Sequence, residues 1–139
     1  MKFKKMADNY LIRFERGEEV LGTLKEFCGA MGITFAAVSA IGATENITIG
    51  LFDPVGKTYI SNQFDGPFEI LSLSGSVTSM AGEVYLHLHI TVGDIQGNTR
   101  GGHLNRAVVN PTCEMILQTG AAVVDRFFDE DTGLNLLKI

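Results

Sequence analysis

Apolar residues at Val20, Leu21, Leu24, Phe27, Cys28 and Met31 recur three and four positions apart, the period of a helix with one buried stripe. Glu18 and Glu19 fall in the expected first turn, where the helix dipole favours acids, and Gly32 is placed to close the helix in a left-handed conformation. Elsewhere the period shortens to that of β-structure. Asn9–Phe14 reads as a first strand. Phe35–Ile41, Ile47–Phe52, Lys57–Phe64, Phe68–Thr78, Glu83–Val92, His103–Val109, Glu114–Gln118 and Val123–Phe128 are short runs rich in β-branched and aromatic residues. Asp53-Pro54-Val55-Gly56 and Asp65-Gly66-Pro67 separate them, as does Pro111, because proline cannot donate to a ladder. Thr132-Gly133 precedes a last apolar stretch, Leu134–Ile139. Many strands and one long helix predict an α+β fold: a single domain over residues 1–139, with a largely antiparallel sheet and the helix packed on one face.

Composition narrows the picture little but usefully. A chain of 139 residues with 45% hydrophobic content suits one domain with a real core. No apolar run is long enough to span a bilayer as a helix. The basic start, Met1-Lys2-Phe3-Lys4-Lys5, is followed by neither an apolar h-region nor a small-residue cleavage site, so the expected location is cytoplasmic. Cys28 and Cys113 are far apart, flanked by apolar residues and expected to be reduced, buried thiols. The net charge is -5, with Lys2, Lys4 and Lys5 as the one basic cluster. Phosphate contacts supply much of the affinity for DNA, so this balance argues against strong autonomous binding.

The chemistry concentrates in Glu83–Val92. Val84, Leu86, Leu88, Ile90 and Val92 point one way; Tyr85, His87, His89 and Thr91 point the other, away from the core. A turn-rich segment from Gly93 to Gly102 follows, and His103 opens the next strand. A hairpin centred near Gln96 would set His89 opposite His103, with Cβ atoms about 4.5–5.5 Å apart. An outward His-x-His is ordinarily solvated surface, but these are the chain's three histidines, and one hairpin can bring them all together. Imidazoles so placed can share one ion, zinc being the default among Zn, Cu, Fe and Ni. Three protein ligands leave a fourth position for water, for substrate or for a carboxylate of a neighbouring subunit. Gly101 and Gly102 would let backbone pass beside the ion. Glu114 is a candidate outer partner or fourth ligand, and Arg100 a candidate anchor for an anion.

These residues resemble a known family, the PPC domain conserved between plants and prokaryotes. The matching blocks are Arg16-Gly17-Glu18-Glu19-Val20, Val38-Ser39-Ala40-Ile41-Gly42-Ala43 and Gly66-Pro67-Phe68-Glu69-Ile70-Leu71-Ser72-Leu73-Ser74-Gly75, then Leu86-His87-Leu88-His89, Gly101-Gly102-His103-Leu104 and Phe128-Asp129-Glu130-Asp131-Thr132-Gly133-Leu134. The resemblance is to a stand-alone prokaryotic member. It implies an α+β fold assembled as a homotrimer, with His87, His89 and His103 as the family's metal-binding histidines. It also implies a family label of DNA binding. In plants the domain is fused to Arg-Gly-Arg AT-hooks and mediates protein–protein contacts; no Arg-Gly-Arg occurs here. The fold is also similar to that of acetolactate decarboxylase, whose zinc is held by three histidines. The expectation is thus a zinc-binding homotrimeric regulatory or interaction module with possible protein partners, weak or indirect contact with DNA and none with membranes. The alternative is a zinc-dependent enzyme acting on a small carbonyl or carboxylate substrate.

Overall fold

The computed structural model describes all 139 residues. The strands are β1 (Lys2–Met6), β2 (Asn9–Glu15), β3 (Ala36–Asp53), β4 (Thr58–Met80), β5 (Glu83–Gly93), β6 (Thr99–Thr119), β7 (Arg126–Asp129) and β8 (Leu134–Leu137), with one helix, α1 (Val20–Met31), between β2 and β3. The fold is thus a mostly antiparallel sheet with a single helix. No helix is long and apolar enough to cross a membrane.

The helix spans the apolar stripe Val20–Met31 but starts after the two acids expected in its first turn. Val20, Leu24, Phe27 and Cys28 are buried, and Met31 is not. Glu19 is its N-cap rather than a first-turn acid: its carboxylate accepts from Leu21 N and Gly22 N, and also from Ala107 N on β6. Glu18 lies outside the helix, accepting from the Met1 amino group and Glu15 N. Gly32 closes the helix at φ +64°, as expected.

Three pairs of expected strands are single long ones. Ile41 and Ile47 belong to one β3, Phe64 and Phe68 to one β4, and Val109 and Glu114 to one β6. Their punctuation marks bulges rather than ends. The β3–β4 register shifts between Thr44 and Asn46, which leaves Gly66-Pro67 unpaired. The β3–β6 register skips from Val109 to Cys113, which leaves Pro111 in the gap, where its missing N–H costs no ladder bond. The lysine-bearing N-terminal segment, to which the periodicity assigned no element, is the edge strand β1 against β2, and charged residues suit such an edge. The expected strand at Val123–Phe128 starts later, at Arg126, and forms its own two-stranded sheet with β8.

The main sheet runs β1-β2-β6-β3-β4-β5, and β6 also pairs with β5. The β3, β4, β5 and β6 strands therefore form a closed ring. Leu73, Leu88, Ile90 and Leu104 of the ring share one continuous core with Ile12, Phe14 and Met115 and with Val20, Leu24, Phe27 and Cys28 of α1. Cys28 and Cys113 are free and buried in that core, and burial pushes both thiols up to about 12.

Candidate metal centre

The β5–β6 hairpin is centred on Gln96, with Gly93 opposite Thr99 and His89 opposite His103. Asp94 holds its turn: its carboxylate accepts from Gln96 N, Asn98 N and Asn98 Nδ2. Those bonds keep the Asp94 carboxyl below its usual range. Beyond His103, β6 leaves β5 and pairs with β3, Gly50 standing opposite His103. His87 therefore has no partner on β6, and the three rings gather where the two strands diverge.

The ring centroids of His87, His89 and His103 lie 5.2, 5.3 and 5.5 Å apart, and one nitrogen of each lies within 4.8 Å of the others. Nitrogens on a tetrahedral zinc sit about 3.3 Å apart, as Zn–N bonds of about 2.0–2.1 Å require. Modest ring rotations close the difference, so the donor set fits a divalent transition ion. Desolvation lowers the His87 pKa, and the charges of His103, Arg126 and His89 lower it further. Desolvation and His89 likewise lower that of His103. Neutral imidazole is the ligating form.

A measurable consequence follows for the metal-free chain. A histidine whose pKa is lower folded than unfolded binds fewer protons when folded. Its contribution to stability is therefore present above the unfolded value of about 6.5 and is lost as pH falls through that value toward the lowered one. Thermal melts of metal-free protein should show declining stability between about pH 7 and pH 5, above the range where carboxylates titrate. His87→Gln should flatten that slope; an unchanged slope would contradict the assignment.

The other expected site residues are not gathered at the histidines. Glu114 lies eleven residues along β6, on the order of 30 Å at ordinary strand rise, opposite Arg13 and Ile41. Arg100 stands an odd number of positions from His103 and so faces the other way. Its guanidinium lies over the Phe64 ring at 5.0 Å and meets Asp94 Oδ2 at 3.4 Å. Gly101 and Gly102 serve strand packing: a Cβ there would come 2.9 Å from the Ile90 carbonyl oxygen and 2.8 Å from that of Gly50.

Three further residues stand beside the histidines, two of which, Tyr59 and Arg126, the sequence reading did not anticipate. Tyr59 sits edge-on to His103 at 6.2 Å and donates its hydroxyl to Asn105 Oδ1 at 2.7 Å. Tyr85 shares the histidine face, as the strand alternation already implied. Arg126 lies over the Tyr85 ring at 4.8 Å, brought there by the β7–β8 hairpin; no local signal announces it.

A family model described as the Plants and Prokaryotes Conserved (PCC) domain matches residues 1–121. A Bacteroides thetaiotaomicron protein with a provisional DNA-binding name is 33% identical with a TM-score of 0.96, and the match covers 99% of this chain and 96% of that one. The metal-containing protein of Archaeoglobus fulgidus is 35% identical with a TM-score of 0.88, and the match covers 100% of both chains. The bifunctional protein GlmU of Synechococcus is 32% identical over 110 residues, which are 78% of this chain and 16% of GlmU. The chain thus spans about a sixth of the length of the curated relatives it matches. Acetolactate decarboxylase of Bacillus subtilis, 16% identical with a TM-score of 0.58 over 88% of this chain and 57% of its own, shares the fold alone.

Proposed function

Because the chain belongs to the Plants and Prokaryotes Conserved (PCC) domain family, we propose that it is a metal-binding member of it. In this reading His87, His89 and His103 hold a divalent transition ion, zinc before the others, and residues 1–139 act as one homotrimeric interaction or regulatory module. The observation that carries the reading is the convergence of three imidazoles from two strands with no carboxylate among them. Retention of metal through gel filtration tests it.

Assembly is supported by the outer face of the sheet. Leu11 lies opposite Ile116, Ile116 opposite Ser39, Ser39 opposite Ser74, and Ser74 opposite His89. The histidines therefore share a face with Leu11, Ile41, Leu71 and Ile116, all exposed, Ile41 to 60% and Leu71 to 50%. Apolar patches of this kind mark interfaces, and closed rotational symmetry is the usual way to cover them. Light scattering should return three times the chain mass, and Ile41→Glu should lower it. A monomer at micromolar concentration would refute the trimer.

The net charge of -5 and the scattered basic residues support DNA contact that is weak and lost at modest salt. Titration of labelled duplex at rising salt checks this; tight, sequence-selective binding at physiological salt would count against it. A second reading, a zinc enzyme for a small carbonyl or carboxylate substrate, is favoured by the fourth coordination position that three histidines leave open. In crystals of the metal-loaded protein, a water or small anion there favours the enzyme; a protein ligand favours the module.

A further inference from the structure

The β7–β8 hairpin sets a guanidinium on the histidine face with no carboxylate to neutralise it. Arg126 is only 7% exposed. Its Nε donates to Thr78 Oγ1 and its Nη1 to the Asn135 carbonyl, both at 2.8 Å, and its plane covers Tyr85. These partners are neutral, and none of the chain's ion pairs includes Arg126. Asp125, its neighbour in sequence, accepts instead from Ser79 Oγ at 3.3 Å. A charged group this far out of water is normally paired.

The place of this cation matters more than its burial. Thr78 is opposite Tyr85 and Ser76 opposite His87, in unbroken register. Tyr85 and His87 therefore stand on one face, about 7 Å apart along the strand. A divalent ion on three neutral imidazoles would keep its full charge, and Arg126 lies over Tyr85, two positions from His87 on the same face. Two cationic centres side by side, with no acidic side chain among their partners, call for an anion from outside.

We propose that the surface between the histidine centre and Arg126 binds a short-chain carboxylate, one carboxylate oxygen ligating the metal and another accepting from Arg126 Nη2. The Tyr85 hydroxyl, which accepts from Asn135 Nδ2 at 3.3 Å, lies beside the same space. Arg126 lies beyond residues 1–121, which the family model matches. The inference rests on the metal reading above, and its test separates the two.

The full chain is loaded with Co(II), whose visible bands respond to its ligands, and titrated with succinate and with uncharged succinamide. Succinate should shift the bands and saturate, and succinamide should not. Arg126→Gln should weaken succinate roughly tenfold or more, the loss of one charge-assisted hydrogen bond, with Co(II) per chain unchanged. Asn135→Asp, which puts a negative charge beside the guanidinium and keeps the side-chain shape, should do the same and serves if Arg126→Gln fails to fold. Bound Co(II) with no response to succinate, or equal succinate affinity in the wild type and a folded variant, overturns this inference alone. A chain that takes up no Co(II) overturns the metal reading with it.

Discussion

Untagged protein should carry close to one divalent metal ion per chain by elemental analysis, and His87→Ala should lose nearly all of it. Each histidine supplies a third of the protein's ligands, and no carboxylate belongs to the cluster. Changing an outer-sphere partner of a metal ligand ordinarily costs about 10–100-fold in affinity, so removing a ligand should exceed that range. His89→Ala and His103→Ala should behave alike, because the rings are nearly equidistant. The substitutions should leave the metal-free fold intact, since the rings point away from the core. Zinc at about a hundred times its dissociation constant should then stabilise the wild type by about 2.7 kcal/mol and the variants hardly at all. A triple His→Ala variant that kept its full metal content would refute the centre.

Gly75→Ala should unfold the site from beneath. Gly75 on β4 lies between Val38 of β3 and Leu88 of β5, at φ +155°. A Cβ there would stand 2.0 Å from the carbonyl oxygen of His87 and 2.9 Å from Leu88 Cα. Both are backbone atoms and cannot swing aside, so β4 and β5 must part. That movement opens the core at Leu88, which is 1% exposed, and displaces the His87 peptide. The expected loss is about 3 kcal/mol or more in urea unfolding of metal-free protein, with a further loss of metal affinity. Gly66→Ala provides the comparison. Its φ of +132° is also unfavourable to alanine, but nothing lies within 4 Å of the new Cβ, so about 1 kcal/mol is expected. Equal unfolding midpoints for Gly75→Ala and wild type would show that the strands tolerate the methyl group.

Much of the centre was legible without coordinates. The alternation through Tyr85, His87 and His89 put the histidines on one outward face, and the turn-forming residues from Gly93 to Asn98 set a hairpin about Gln96. Each signal sits within a dozen residues, where side-chain parity and turn chemistry act directly. The same parity argues against Arg100, an odd number of positions from His103. Glu114 was a different matter. Its distance from the histidines became plain only once His103–Val109 and Glu114–Gln118 proved to be one strand rather than two folded back on each other.

The sequence by itself determined the helix from Val20 to Met31, its closure at Gly32, the two faces of β5 and the pairing of His89 with His103. Tertiary structure alone decided that β3, β4 and β6 run on through their bulges, that β6 returns to close a ring with β5, and that Arg126 and Tyr59 flank the histidines. The division has a physical cause. Periodicity, capping and tight turns are settled by groups within a few residues of one another. Whether a strand ends or bulges at Pro67 or Pro111, and which distant strand a hairpin packs against, depends on how side chains far apart in sequence share one core.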